Sequence, residues 1–211
     1  MPQTILITGS TNGIGYQTAL ILACQGHNII VASRSEEKVN HIVKEIRRIS
    51  ENSNVYGFQV NLADLKSVKS FVDKLKVQYD HLNIVILNAG ISGPRDKQLN
   101  DANHEITFAT NHLGHFYLLQ NILDLLKPSS RRSRIVVISS GLHYPNEKSG
   151  RKPPTFDLDM WKNPITYAHM DAYANSKLAN AIYGQYLSRT LDPKNITVVT
   201  YAPGFIGDTG L

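Results

Sequence analysis

Six short runs of apolar, mostly β-branched residues alternate along the chain with longer segments in which apolar residues recur at helical spacing. The runs lie at 4–8, 28–33, 55–60, 83–87, 134–140 and 196–201, and the helical periodicity lies near 14–25, 36–50, 65–79, 102–127 and 171–191. Strands separated by helices pair in parallel, because a parallel pair needs a crossover connection, and such crossovers are right-handed. The alternation therefore predicts the α/β class: a doubly wound parallel sheet in a three-layer α/β/α arrangement.

No stretch rich in proline, glycine or serine divides the 211 residues, so we expect a single domain over 1–211. No apolar stretch approaches the roughly 18–20 residues of a membrane span, so no membrane span is expected. The first predicted strand begins near residue 4, which leaves no room for a signal peptide, and the one cysteine, Cys24, cannot form an internal disulfide. These features predict a cytoplasmic protein, with Cys24 as a buried, inert thiol on the first helix.

The chain carries a formal net charge of +5, which raises the alternative of a nucleic-acid partner. Its basic residues are scattered, however, and the one dense run lies at 131–134. We interpret that run as a solvated loop, with a site for a polyanion as the alternative, and expect no nucleic-acid partner.

Three glycines, Gly9, Gly13 and Gly15, stand where the first predicted strand turns into the first predicted helix. Glycines let the backbone approach a pyrophosphate closely, and the N–H groups and dipole at the start of a helix attract its negative charge. The spacing G-x-x-x-G-x-G differs from the commoner G-x-G-x-x-G, and a plain connection is the alternative. The turn thus predicts a phosphate cradle.

Tyr173 and Lys177 are four residues apart on a predicted helix, which places the phenol and the ammonium on one face. A phenol with a pKa of about 10 is a poor acid–base catalyst near neutrality, but a nearby cation stabilises the phenolate. Lys177 could therefore make Tyr173 a working proton donor and acceptor, whereas an exposed helix face with an accidental pair is the alternative.

Several blocks of the chain, taken together and in this order, resemble the short-chain dehydrogenase/reductase family over essentially the full length. They are TGSTNGIG at 8–15, LNAG at 87–90, Asn111 within TNHLGHF, Ser139-Ser140 at a strand end, the Tyr173/Lys177 pair, and Pro203-Gly204. The resemblance implies a Rossmann fold and hydride transfer between a carbonyl and an alcohol. It is strongest toward the branch with retinol dehydrogenases, WW-domain oxidoreductases and protochlorophyllide reductases.

Four residues carry catalytic roles by this resemblance. It implies that Tyr173 is the general acid/base and that Ser140, favoured over Ser139 by the register of the motif, hydrogen-bonds the reacting oxygen. Lys177 would hold the nicotinamide ribose and lower the pKa of Tyr173, and Asn111 would fix a water in the proton relay.

The cofactor is predicted to be NADP, since Ser33 stands where NAD-using relatives carry an acid and Arg34 follows with a guanidinium suited to a phosphate. A merely solvated Arg34 is the alternative. Two departures from the family pattern stand at Asn61, an amide in place of aspartate, and at Leu87, which we expect in the core. The expected cofactor-binding residues are Gly9, Ser10, Thr11, Asn12, Gly13, Ile14, Gly15, Ser33, Arg34, Asn61, Leu62, Asn88, Ala89, Gly90, Tyr173, Lys177, Pro203 and Gly204.

The substrate predicted from the branch is a small lipophilic alcohol or carbonyl. A non-catalytic NADP(H)-binding sensor or scaffold is the alternative, because the sequence stops where relatives continue with a substrate-covering segment and a seventh strand, which we expect to be absent. The resemblance is compatible with a homodimer that pairs the helix at 102–127 and the Tyr/Lys helix between subunits. His112 and His115 lack a third ligand, so no metal is expected.

The irregular segment 141–170 is expected to be a surface excursion beside the site. Its aromatic residues Tyr144, Trp161 and Tyr167 either line a hydrophobic entrance for the substrate or anchor the excursion to the domain.

Overall fold

The computed structural model describes residues 1–126, 132–144 and 167–204. Trp161 and most of the predicted excursion lie outside these residues. Within them, six parallel strands form one sheet in the order β3-β2-β1-β4-β5-β6. The strands are β1 (Thr4–Thr8), β2 (Asn28–Ser33), β3 (Val55–Gln59), β4 (Ile84–Leu87), β5 (Ser133–Ile138) and β6 (Ile196–Tyr201). The order reverses between β1 and β4, which confirms the doubly wound sheet.

Helices connect the strands on both faces of the sheet. They are α1 (Gly13–Cys24), α2 (Glu36–Ser50), α3 (Leu65–Gln78), α4 (Ile106–Phe108), α5 (Gly114–Ile122) and α6 (His169–Thr190). A π-helical segment (Ala109–Leu113) joins α4 to α5, and short 3₁₀ turns span Leu123–Leu125 and Gly141–His143. The helix predicted over 102–127 was therefore too long and too regular.

The buried side chains alternate between the two faces of the sheet, as the pleat of a strand requires. On β1, Ile5 and Ile7 pack into the core under α1 and α2, whereas Leu6 packs into the core under α3, α5 and α6. Both cores are apolar because a central parallel strand is covered on both faces.

Helix α2 shows how local sequence sets an element. Ser35 caps its first turn by accepting a hydrogen bond from the Lys38 N–H at 3.3 Å, and its buried residues Val39, Val43 and Ile46 recur at helical spacing. This capped start places the residues after β2 at the edge of the sheet where the carboxyl ends of the strands meet.

Cys24 corrects one expectation, because its side chain is exposed. The buried face of α1 is the stripe Gly15, Ala19 and Ala23, spaced by four residues, and the next position faces solvent. No helix in the described part of the chain has both the length and the apolar character needed to cross a membrane.

Candidate active site

A cavity of about 430 Å³ opens at the carboxyl ends of the strands, where the strand order reverses. Predicted site residues that are far apart in the chain meet around it. Those that line it are Gly9, Thr11, Asn12, Ile14, Gly15, Ser33, Arg34, Asn61, Leu62, Asn88, Ala89, Gly90, Ser140, Tyr173, Lys177, Pro203 and Gly204. Ser10, Gly13 and Asn111 do not line it.

Asn88 fixes the position of the glycine-rich turn beside the cavity. The Asn88 Nδ2 donates to the carbonyl oxygens of Thr8 at 2.9 Å and Gly9 at 3.1 Å, which ties the turn to the end of β4. Gly9 has a positive φ of 65°, and a Cβ on Gly15 would overlap the Gly9 carbonyl oxygen. The turn therefore needs glycine at both positions, and it leaves the first N–H groups of α1 facing a concave surface suited to a phosphate.

Ser10 is a structural tie rather than a wall of the cavity. Its side chain is fully buried, and its hydroxyl donates to the Ile7 carbonyl at 2.7 Å and accepts from the Ala32 N–H at 3.1 Å. This bond pair joins the turn to β2. A local motif does not tell which way a turn side chain points, and the contact of Ser10 with a cofactor stays a prediction. Gly13 begins α1 with a positive φ of 51° and serves the turn geometry.

Ser140, not Ser139, faces Tyr173. The Ser140 hydroxyl hydrogen-bonds the Tyr173 side chain, and it also accepts from the Leu142 N–H at 3.3 Å. Ser139 is turned away, since its hydroxyl donates to the Lys177 carbonyl oxygen at 2.7 Å. The geometry therefore agrees with the register that favoured Ser140.

Tyr173 and Lys177 are both buried, on successive turns of α6. The Lys177 Nζ donates to the Ile138 carbonyl at 3.2 Å and lies 5.6 Å from the centre of the Tyr173 ring. Burial lowers the pKa of Lys177 to about 8, so the amine is mostly protonated at neutral pH.

The pKa of Tyr173 differs from expectation. Burial raises it, and the hydrogen bond from Ser140 offsets part of that rise. The Lys177 ammonium donates to the Ile138 carbonyl and is itself desolvated. Tyr173 is thus protonated at neutral pH, ready to act as an acid.

Asn111 lies in the π-helical segment with its side chain fully buried. Its Oδ1 accepts from the Ile91 N–H at 2.8 Å, and its Nδ2 donates to the Ile91 carbonyl at 2.9 Å and the Ser176 hydroxyl at 3.0 Å. These bonds fasten the loop after β4 to α6. The structure therefore brings Asn111 beside the site, where its side chain joins the loop to α6, and its expected role in holding a water stays a prediction.

The far end of the cavity is basic. Arg34 lines it together with Lys38, and the hydroxyls of Thr11 and Ser33 lie 3.0 Å apart on its wall. None of the described lining residues carries a carboxylate. Sequence reasoning missed Lys38 and Ser35, although the spacing of four between Arg34 and Lys38, across the start of a predicted helix, was a usable signal.

The two departures from the family pattern are accommodated. The Asn61 Oδ1 accepts from the Ala63 N–H at 3.2 Å, which holds the turn after β3, and Asn61 lines the cavity. Leu87 is 1% exposed at the end of β4, which confirms its place in the core.

The two histidines of the TNHLGHF segment are structural. His112 Nδ1 lies 3.0 Å from the Asn180 Oδ1, and its ring packs against Phe108 and Tyr183. His115 Nδ1 donates to the Asn111 carbonyl at 3.0 Å, since a carbonyl only accepts, and its Nε2 then accepts from the Thr8 hydroxyl at 2.8 Å. Among the described residues, no group of three or more potential metal ligands is assembled.

We expect His115 to make the protein less stable in mild acid. Burial lowers its pKa from 6.5 to about 3, so the unfolded chain binds more protons than the folded one between these values. Stability therefore falls as the pH drops from about 6.5 toward 3, by about 2 kcal/mol between pH 7 and pH 5. Urea denaturation of the wild type and His115→Gln at both pH values measures this difference.

The control for this prediction is His41→Gln, which changes an exposed histidine on α2. The pH dependence of its unfolding free energy should match the wild type, whereas that of His115→Gln should be flatter. Equal slopes for the wild type and His115→Gln would contradict the assignment.

The sequence profile of the short chain dehydrogenase family matches residues 3–148. The chain belongs to this family. Short-chain dehydrogenase TIC 32 A from Brassica napus is 37% identical over 209 residues, covering 96% of this chain and 63% of that protein. Human retinol dehydrogenase 13 is 38% identical over 202 residues, with 96% and 58% covered, and the WW domain-containing oxidoreductase of Gallus gallus is 36% identical over 203 residues, with 96% and 48% covered.

These relatives confirm the predicted branch as far as retinol dehydrogenases and WW-domain oxidoreductases are concerned. This chain of the short-chain dehydrogenase family spans about half to two thirds of the length of the curated relatives it matches. The expectations of one domain over 1–211, and of an absent C-terminal segment, stay predictions.

Solved structures show the same fold. A protein from Mycobacterium paratuberculosis is 30% identical, with a TM-score of 0.80 over 99% of this chain and 70% of that one. A short-chain dehydrogenase from Shigella flexneri, solved in complex with NADP, is 24% identical, with a TM-score of 0.73 over 96% of this chain and 77% of that one. The Rossmann fold predicted from the sequence is thus confirmed.

Proposed function

We propose that this chain binds NADP(H) and transfers a hydride between the nicotinamide and a lipophilic alcohol or carbonyl substrate. One observation carries the proposal: Ser140, Tyr173 and Lys177 meet at one end of the cavity, and Arg34 and Lys38 line its other end. An acid–base group and a basic phosphate site at two ends of one cleft suit a dinucleotide that lies between them.

The residues of the cavity fit NADP. Gly9 and Gly15 let the turn before α1 pack closely, since a Cβ on Gly9 would overlap Ala89 and a Cβ on Gly15 would overlap the Gly9 carbonyl oxygen, and the start of α1 beside this turn suits the pyrophosphate. Arg34 and Lys38 supply two cations to a 2′-phosphate, and no described lining residue supplies a carboxylate that would repel it. Lys177 is placed to hold the hydroxyls of the nicotinamide ribose. When bound, NADPH supplies the hydride.

The protein groups supply the proton. Because Tyr173 is protonated at neutral pH, its hydroxyl donates to the oxygen of a carbonyl substrate as that oxygen gains negative charge. Ser140, whose hydroxyl donates to Tyr173 in the free protein, would turn that proton to the same oxygen once a substrate binds and hold it within reach. The arrangement suits reduction of an aldehyde or ketone near pH 7.

The proposal of a lipophilic substrate is based on the similarity to retinol dehydrogenases. The similar human protein is named for retinol, which is a lipophilic alcohol. Ile91 and Ile106 add apolar side chains to the lining of the cavity. These side chains support an apolar substrate over a charged one.

Calorimetric titration with NADPH and, separately, with NADH tests the proposal, followed by a panel of lipophilic aldehydes and ketones with absorbance at the nicotinamide band. We expect tighter binding of NADPH and its oxidation by members of the panel. Binding without turnover would favour a non-catalytic NADP(H) sensor, and absence of binding would refute both functions.

We also propose a homodimer through an exposed apolar patch on α5 and α6. The patch consists of Phe116, Ile182 and Tyr186, which are 42%, 47% and 55% exposed. Phe116 packs on Tyr183 with ring centres 5.2 Å apart, so the patch is continuous across the two helices. Large exposed apolar surfaces of this kind mark interaction sites.

Sedimentation velocity checks the dimer. The wild type is expected to sediment as a dimer at micromolar concentration and Phe116→Glu as a monomer, because the carboxylate would be desolvated in the interface. Val77→Glu, at a position 90% exposed on α3, is the control and should leave the dimer intact. A monomeric wild type would overturn the proposal.

A further inference from the structure

Glu105 is a buried carboxylate that takes no part in the proposed hydride and proton transfer. It is 3% exposed, and within the described part of the chain it forms no salt bridge. Its oxygens accept from the N–H groups of Thr107 at 2.9 Å and Phe108 at 2.7 Å, and from the Thr107 hydroxyl at 2.7 Å. It thereby caps α4, which begins the helical stretch that carries Asn111.

The hydroxyl of Tyr167 reaches the same carboxylate. It lies 3.3 Å from the Glu105 Oε1 and 3.0 Å from the Pro94 carbonyl oxygen, so its one proton is shared between two acceptors. Burial and the Glu105 carboxylate raise the pKa of Tyr167, which keeps that proton in place at neutral pH. Tyr167 thus anchors its segment to the domain, one of the two roles that the sequence left open.

The Glu105–Tyr167 clasp, defined here as these two residues with Pro94, joins three segments of the candidate site. Pro94 follows the cavity wall at 88–90, Glu105 starts the helical stretch of Asn111, and Tyr167 lies six residues before Tyr173. A Cβ on Gly93 would lie 3.3 Å from the Tyr167 hydroxyl and would overlap the Thr107 hydroxyl. The loop is therefore packed directly against the clasp.

Displacement at Tyr167 is expected to reach Tyr173 through helix geometry. The N–H groups of Asp171 and Ala172 both donate to the Ala168 carbonyl at 3.0 Å, so the first turn of α6 starts at the residue after Tyr167. The first turns of a helix move together as a rigid element, so a displacement of Tyr167 would also displace Tyr173. Asn111 also bonds Ile91 in the same loop, so the segment 91–94 is bonded at both of its ends.

We propose that Glu105 and Tyr167 are positioning residues that hold the start of α6, and with it Tyr173, against the cofactor wall after β4. This inference rests on the proposed function for its effect on turnover, but the clasp itself is testable without any substrate. Catalytic geometry is sensitive to small misplacements, so loss of the clasp should affect proton transfer more than cofactor binding.

Tyr167→Phe tests the clasp, because it removes the hydroxyl and keeps the ring. Hydrogen exchange followed by mass spectrometry should show at least threefold faster exchange in peptides covering both 88–95 and 167–173. The dissociation constant for NADPH should stay within twofold. With nonanal as the probe substrate, kcat should fall about tenfold, and the solvent deuterium isotope effect on kcat should rise as proton donation becomes slower.

Glu105→Asp is the second variant, since aspartate still caps α4 but its shorter side chain withdraws from the Tyr167 hydroxyl. It should reproduce the effects of Tyr167→Phe with little change in the unfolding temperature. The matched control is Tyr56→Phe on β3, which removes a hydroxyl that bonds Asn54 at 3.5 Å, lies outside both the cavity lining and the proposed dimer patch, and should change none of these quantities.

Unchanged exchange at 88–95 in both variants would overturn the clasp. A fall in kcat without any rise in the isotope effect would also overturn it, because general destabilisation lowers the active fraction and leaves the isotope effect unaltered. If the wild type does not reduce nonanal or any member of the aldehyde panel, the proposed function fails, and exchange alone decides for or against the clasp.

Discussion

Tyr173→Phe is expected to lower kcat/KM for carbonyl reduction by about 10²–10⁴-fold, the range that a general acid typically contributes. The hydroxyl of Tyr173 is the group that faces Ser140 at one end of the cavity, and burial keeps it protonated. Phenylalanine preserves the buried ring, so the fold and the NADPH site should survive. Steady-state kinetics with the aldehyde panel and calorimetry with NADPH measure the two effects, and the dissociation constant should change less than about threefold.

Tyr183→Phe is the matched control for this variant. Tyr183 is a buried tyrosine on the same helix, its hydroxyl accepts from Gln120 at 3.0 Å, and it does not line the cavity. Its loss should cost a little stability and leave kcat/KM near the wild-type value. If Tyr173→Phe turned over substrate at the wild-type rate, Tyr173 would have no role in the mechanism. The non-catalytic NADP(H)-binding function would then be favoured.

Arg34→Asp is expected to weaken NADPH binding by about 100-fold and NADH binding by less than about threefold. The guanidinium of Arg34 is one of two cations at the basic end of the cavity, and an aspartate there would face the 2′-phosphate with like charge. NADH lacks that phosphate and offers hydroxyls, which a carboxylate accepts well. Calorimetric titration of the variant with each cofactor gives both dissociation constants.

Lys44→Asp controls for the change in net charge. Lys44 is exposed on the same helix, α2, it does not line the cavity, and the substitution alters the charge by the same amount. Both cofactors should bind this variant as they bind the wild type. Equal weakening of NADPH and NADH by Arg34→Asp would show that Arg34 does not discriminate between them.

Local sequence patterns were sufficient to predict the sheet and most residues of the site. Strand and helix periodicity depend on neighbours within a few residues, so β1 was predicted with its observed bounds, Thr4–Thr8, and the parallel order followed from the alternation. The helix predicted over 102–127 was less accurate. It starts only at Ile106, because Glu105 caps it, and a π-helical segment interrupts it where the Asn111 side chain bonds Ile91.

By itself, the sequence determined the family, the doubly wound sheet and most of the residues that meet at the carboxyl ends of the strands. The direction in which neighbouring side chains point was decided only by tertiary structure. Ser139 turns to the Lys177 carbonyl while Ser140 meets Tyr173, and Ser10 is buried while Thr11 lines the cavity. Such choices depend on hydrogen-bond partners many residues away, and the clasp between Glu105 and Tyr167, 62 residues apart, has the same origin.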